Sequence, residues 1–348
     1  MASWDEGLWA SSIESGLPRR DRRSGIYRRY VPDPLIGSPL LLPPDLDELV
    51  ALAEQAVRRL SGDARDLAGI ARFLLRSEAI ASSRIEGIAP AVQQVALAEL
   101  GVRETVPDVS AQARLVANNM TVLHEARTVL VAAPVVTADH VIDLHAALLP
   151  DEPHHHGIRT VQNWIGGSDH HPLDADFVPP APERVPALLD DLIAYLNGGG
   201  HSPIVQAALV HAQFETIHPF TDGNGRVGRA LIHTVLTRRG LTTEAVLPVS
   251  LVLSTLRNDY VGGLTAYRHS APIGSGGFHD ARATWLRVFA SAVVTASDQA
   301  GRLAVDLAAL RSEWEDRLAF ARSSLGRVRG LRSDSATALI VRDLPATP

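Results

Sequence analysis

The chain of 348 residues has no cysteine, which excludes disulfides, thiolate nucleophiles and cysteine metal sites. It also has no lysine: all 33 basic residues are arginine. A Schiff-base or P-loop lysine is therefore excluded. No run approaches the roughly 18 apolar residues of a membrane helix, and the start "MASWDEGLWASSIESG" has acids where a secretion signal needs a basic segment. The expected location is the cytoplasm, with no membrane partner. A net charge of -6 gives no global attraction for nucleic acid or anionic lipid. The 46% hydrophobic content suits a folded chain with one large or two ordinary domains.

Residues 1–43, rich in Arg, Pro and Gly, read as an extended arm. Helical periodicity begins at Asp45 and recurs from about Asp66, where Leu67, Ile70, Phe73, Leu74 and Ile80 share one side. That second helix should end at Gly87, suited to a left-handed C′ position, with Pro90 beyond. Further helices are expected over about 91–100, 108–130, 137–149, 183–196, 203–217, 226–239, 250–268 and 281–323. Residues 150–180 carry Gly, Asp and Pro punctuation around "TVQNWIGG", the pattern of a small hairpin. The fold class is thus all-α with one small β-hairpin. The tail 326–348 looks like the start of a further domain.

"HPFTDGNGRVGR", His218 to Arg229, contains a G-x-G-x-x-G spacing, and Glu244 follows at the distance of a ribose-binding acid. A dinucleotide fold needs a strand before the first glycine. Here Val210, Phe214 and Ile217 lie at helical spacing, and Pro219 ends that helix. Helix, loop, helix is the wrong order for such a fold.

The loop still suits phosphate. Gly223 and Gly225 permit close approach, and a helix starting near Arg226 turns free N–H groups and its positive dipole end towards the loop. Arg226 and Arg229, three residues apart, share a face and can fork onto phosphate oxygens. Asp222 can hold a magnesium ion, and His218 can take a proton from a hydroxyl. Together these groups form a set for phosphoryl-type transfer. The stretches "HHHG" and "DHH" carry metal-binding residue types but, in a Gly/Pro loop, read as solvated histidines.

The stretch from His218 to Arg229 resembles the H-x-F-x-D-G-N-G-R-x-x-R signature of Fic proteins, with every specified position present, and "SSRIEG" resembles their inhibitory motif through Ser82, Glu86 and Gly87. Similarity extends over about residues 24–325. The resemblance implies a Fic-type helical bundle, with an inhibitory helical region at 44–105 and a catalytic core at 106–325. It also implies AMP transfer from Mg-ATP to a Tyr, Thr or Ser hydroxyl of a target protein. His218 would be the base and Asp222 the Mg²⁺ ligand. Gly223, Asn224, Gly225 and Arg226 would hold phosphates, Arg229 the γ-phosphate, and Tyr260 would lie near the base. In the resting state Glu86 would pair with Arg229. A carboxylate at a helix C-terminus is disfavoured by about 0.3–1 kcal/mol, which suggests an outside partner for Glu86. A flap at Val161, Gln162, Asn163, Trp164, Ile165 and Gly166 would dock the target by strand addition.

The resemblance also implies self-AMPylation and homodimers. It leaves open removal of AMP, transfer of another nucleotidyl group or phosphate, and a nucleotide-sensing regulatory module. Nucleic acid enters only if a further domain, such as a winged helix, follows.

Overall fold

The computed structural model describes residues 1–12, 15–62, 70–101, 109–242 and 245–324. Glu244, the tail from 325 onwards and the start of the second helix at Asp66 and Leu67 lie outside the described residues.

The described residues are mostly helical, with eleven α-helices among them. They are α1 (Pro44–Gly62), α2 (Ala71–Ile85), α3 (Val92–Gly101), α4 (Ala111–Ala132), α5 (Ala138–Leu148) and α6 (Val185–Asn197). After these come α7 (Pro203–Ile217), α8 (Asn224–Arg238), α9 (Val249–Thr255), α10 (Arg257–Tyr267) and the long α11 (Gly276–Ser324). Local chemistry sets several of their ends. Ser110, Ser202 and Thr137 accept N-terminal amide protons of α4, α7 and α5, as N-caps do. Gly87 adopts φ 80° and donates its N–H to Arg84 O, closing α2 where the glycine predicts.

α7 and α8 form the centre. All of α7 is buried, so it shows no polar face, and α8 packs directly along it. α4, α5 and α2 cover α8, whereas α6, α10 and α11 surround α7. One apolar cluster runs from Val50 of α1 and Ala79 of α2 through Val116 and Phe214 to Trp285 of α11. α1 and α2 therefore share one core with α4, α7 and α11.

Three expectations change. The 250–268 helix divides at Leu256, into α9 and α10. Ser254 and Thr255 both donate their hydroxyls to Leu251 O, a side-chain competition that weakens a helix end. The arm at 1–43 contains β1 (Ser3–Trp9) and β2 (Gly25–Val31), an antiparallel pair with Ser3 opposite Val31 and Trp9 opposite Gly25. The 161–167 segment forms no ladder; it has only an isolated antiparallel bridge, Ile165 with Phe177. Pro179 and Pro180 follow that bridge and cannot donate to a continued ladder.

Candidate active site

α7 ends because Pro219 disfavours a right-handed helical conformation at the residue before it. His218 instead takes φ 52° and ψ 61°. It is the only non-glycine residue with positive φ among those described. Left-handed backbone at a non-glycine residue stores strain of about 1–3 kcal/mol, and several contacts hold it. Arg159 Nε donates to His218 O at 2.8 Å, and Arg159 N–H donates to Pro219 O at 2.9 Å. Asn163 Nδ2 donates to Phe220 O at 2.9 Å. The Asn224 side chain accepts from Phe220 N–H and donates to Phe220 O, each at 2.8 Å. His145, stacked on Phe220 with ring centres 3.9 Å apart, donates from Nε2 to Asp222 O at 3.0 Å.

The loop therefore presents His218 in a fixed orientation. Its Nδ1 has no hydrogen-bond partner among the described residues. Burial pushes its pKa down to about 4, aided by Arg268 and Arg159 against the opposing pull of Glu86. The imidazole is consequently neutral at ordinary pH, with a lone pair available to accept a proton.

Beyond the loop, Gly223 takes φ 74° and caps α8; a Cβ there would meet Leu148 Cδ2 at 2.8 Å. Arg226 is only 2% exposed, yet its Nε and Nη1 lack partners among the described residues. Among the described residues its one ion pair is a loose 3.5 Å contact of Nη2 with Asp222. Burial lowers its pKa. A buried guanidinium with two N–H groups left unsatisfied is costly, and with the N–H groups of the α8 terminus it makes a site that an anion would complete. Asp222 is half exposed, its side chain 54% accessible, so its carboxylate faces the loop mouth.

Arg229 is fully engaged. Its Nε and Nη2 donate to Ser82 Oγ and O, each at 2.9 Å, and Nη2 also donates to Glu86 Oε1 at 2.7 Å. Burial opposes its charge, but Glu86, Tyr260 and Glu215 outweigh burial and hold its pKa above the ordinary arginine value. Any Cβ on Gly225 would collide with Glu86 Oε1. The Glu86 carboxylate thus lies directly over the first turn of α8, beside Arg226.

This contact belongs to a longer polar seam. Glu78, Ser82 and Glu86 recur every fourth residue on α2, opposite His233, Arg229 and Gly225 at the same spacing on α8. Glu78, wholly buried, accepts from His233 Nε2 at 3.0 Å and from Ser250 N–H and Oγ at 2.8 and 2.5 Å.

Two expected site residues make contacts within the protein. Tyr260 is buried, with its hydroxyl 2.9 Å from His211 Nε2 and 3.5 Å from Arg229 Nη1, so it supports Arg229 from behind. The Asn224 amide closes the loop, as described, leaving its backbone N–H for a ligand.

In the flap, Val161, Ile165 and Gly166 are exposed and Gln162, Asn163 and Trp164 half-buried. Gln162 Nε2 donates to Pro179 O at 3.1 Å, and Trp164 Nε1 donates to Ser168 O at 2.7 Å. The sequence reading missed Arg159, His145, Glu78 and Glu215.

Residues 135–236 match the family model described as Fic/DOC family. The chain is 34% identical over 119 residues to "Protein adenylyltransferase fic-1" of Caenorhabditis briggsae, across 33% of this chain and 22% of that protein. It is 32% identical over 142 residues to "Protein adenylyltransferase Fic" of Nematostella vectensis, across 38% and 29%. The match thus spans less than a third of either relative's length. A Fic family protein from Desulfovibrio desulfuricans G20 has a similar fold, with a TM-score of 0.60 at 24% identity over 79% of this chain and 81% of that one. Fic-1 from C. elegans gives 0.55 at 21% identity over 74% and 73%.

Proposed function

We propose, from the match of residues 135–236 to the Fic/DOC family model, that this chain is a protein adenylyltransferase held in a self-inhibited state. The observation that carries the reading is the buried Arg226 at the α8 terminus, whose Nε and Nη1 lack partners among the described residues, with the Glu86 carboxylate over the same turn. The polyphosphate of ATP fits the cationic turn. The N–H groups of the 223–225 turn and Arg226 would hold the phosphates next to the transferred group. Arg229, once freed from Glu86, would take the γ-phosphate.

The hydroxyl oxygen of a target Tyr, Thr or Ser attacks the α-phosphorus, and its proton passes to neutral His218. The bond from that phosphorus to the pyrophosphate oxygen breaks, leaving AMP on the target. Asp222 suits Mg²⁺, which binds through one or two carboxylates with water and substrate phosphates; the ion would neutralise phosphate charge. With Glu86 in place the γ-phosphate meets a carboxylate instead of a free guanidinium, so ATP cannot sit in line.

The test compares wild type, Glu86→Gly and Glu86→Gly/His218→Ala, incubated with Mg²⁺ and ATP labelled at the α- or the γ-phosphate. We expect α-label on protein only with Glu86→Gly. Transfer of γ-label without α-label would replace the reading with phosphate transfer. ATP binding without any label would replace it with a nucleotide-sensing module. Release of AMP from a labelled target by wild type would make removal, with Glu86 positioning water, the resting activity.

A further inference from the structure

The turn preceding Arg159 holds a second cluster, outside the nucleotide-binding residues. Glu152, His154 and His155 each offer one ligand atom, and these atoms all lie within 4.8 Å of one another. Backbone geometry brings them together. Pro153–His155 is a 3-10 turn, with His155 N–H donating to Glu152 O at 3.0 Å. Residues three apart eclipse in such a turn, so Glu152 and His155 share an edge. We propose that Glu152, His154 and His155 form a site for a divalent transition metal, zinc by its donor set, on the rim of the catalytic loop.

Two distances carry the assignment. Glu152 Oε2 and His155 Nε2 stand 3.6 Å apart, too far for a direct hydrogen bond. Bonds of about 2.0–2.2 Å to a tetrahedral ion place neighbouring ligand atoms roughly 3.4 Å apart, so this pair already has coordination spacing. The other ring nitrogen, His155 Nδ1, lies 2.8 Å from Thr221 Oγ1. With Nδ1–H donating to that oxygen, Nε2 turns its lone pair towards Glu152. A ligating histidine is oriented in this way by the partner of its second nitrogen. His154 is exposed, its ring centre 4.1 Å from that of His155, and completes a set of two imidazoles and a carboxylate. That set suits zinc and leaves a fourth position for water.

The site differs chemically from Asp222, whose oxygen-only chemistry favours magnesium. Thr221 connects the two: zinc on His155 fixes the residue next to Asp222. Metal bound at the 152–155 turn would therefore stiffen the loop that carries His218 and Asp222.

The experiment titrates zinc alone into the full, tag-free, chelator-stripped chain without nucleotide, in competition with a chromophoric chelator. We expect one zinc ion per chain, undisplaced by excess magnesium, and a rise in melting temperature on binding. His154→Ala/His155→Ala should lose both the binding and the rise, while matching wild-type melting without zinc. Thr221→Val should weaken binding by about tenfold, and Asp222→Asn should leave it unchanged. Equal zinc affinity in the double-histidine variant, loss of zinc in Asp222→Asn, or no zinc uptake by wild type would each overturn the proposal.

Discussion

At position 215 the chain buries a carboxyl group whose Oε1 has no partner among the described residues. It stands beneath Gly228, where a Cβ would meet that oxygen at 2.8 Å, so its surroundings are set by the close approach of α7 to α8. Burial pushes its pKa up to about 7, against the pull of Arg229 and Arg268. The folded state therefore keeps a proton that the unfolded chain releases near the ordinary value of 4.5. Stability from this group is complete below that ordinary value and is lost as pH rises through about 7. His218, near 4, has the opposite sign: its contribution is complete above the ordinary histidine value and is lost as pH falls towards 4. Glu215→Gln keeps the shape of the side chain and removes its titration. The melting temperature of this variant relative to wild type should rise between about pH 5 and about pH 8, then level off. A difference that stays flat across that range would show that Glu215 is ionised in the folded protein at all these pH values.

The α2–α8 seam acts at the scale of elements, because Glu86 can cover the α8 turn only while α2 is held in register. Arg229 ties the middle of the seam, and Glu78 anchors its far end to both His233 and Ser250. Removing Glu78 leaves a buried N–H, a hydroxyl and an imidazole without their acceptor, at about 1–3 kcal/mol for each unsatisfied group. Glu78→Ala should lower the melting temperature. It should also raise α-label transfer above wild type, although below Glu86→Gly, since Glu86 is intact but less firmly placed. A variant that melts lower with unchanged labelling would confine Glu78 to stability. Ser82, Glu86 and the Gly87 stop were legible in the sequence because they form a compact motif at a helix end. Glu78 was not, since a glutamate in a helix ordinarily faces water. Its burial follows from α9, which arrives from 172 residues away to place Ser250 against it.

Across the whole molecule, the helical order and the loop from His218 to Arg229 were readable because periodicity, glycine and proline act locally. The β-structure was misplaced for a physical reason. Hairpin signals rely on short turns, whereas β1 and β2 are joined by residues 10–24 and pair without such a turn. Their position links the arm to the flap. Trp9 meets Trp164 edge to face, with ring centres 5.3 Å apart. Ser168 Oγ donates to Asp21 Oδ1 at 3.0 Å, and Tyr30 N–H donates to Val178 O at 2.9 Å. The inner end of the flap is fixed to the His218–Phe220 backbone by Arg159 and Asn163, while its outer end rests on this hairpin. An aromatic pair of this kind contributes about 0.5–1.5 kcal/mol. Trp9→Ala should therefore speed hydrogen exchange at the Ile165 and Phe177 amides by about two- to tenfold, and leave the amides of His218 and Phe220 unchanged. In the Glu86→Gly background it should slow labelling of a separate target protein more than it changes ATP affinity, because the proposed docking edge loosens while the 223–226 turn stays fixed. Unchanged exchange at Ile165 and Phe177 would show that the hairpin leaves the flap unsupported, and equal losses in target labelling and ATP affinity would place the effect in the catalytic loop instead.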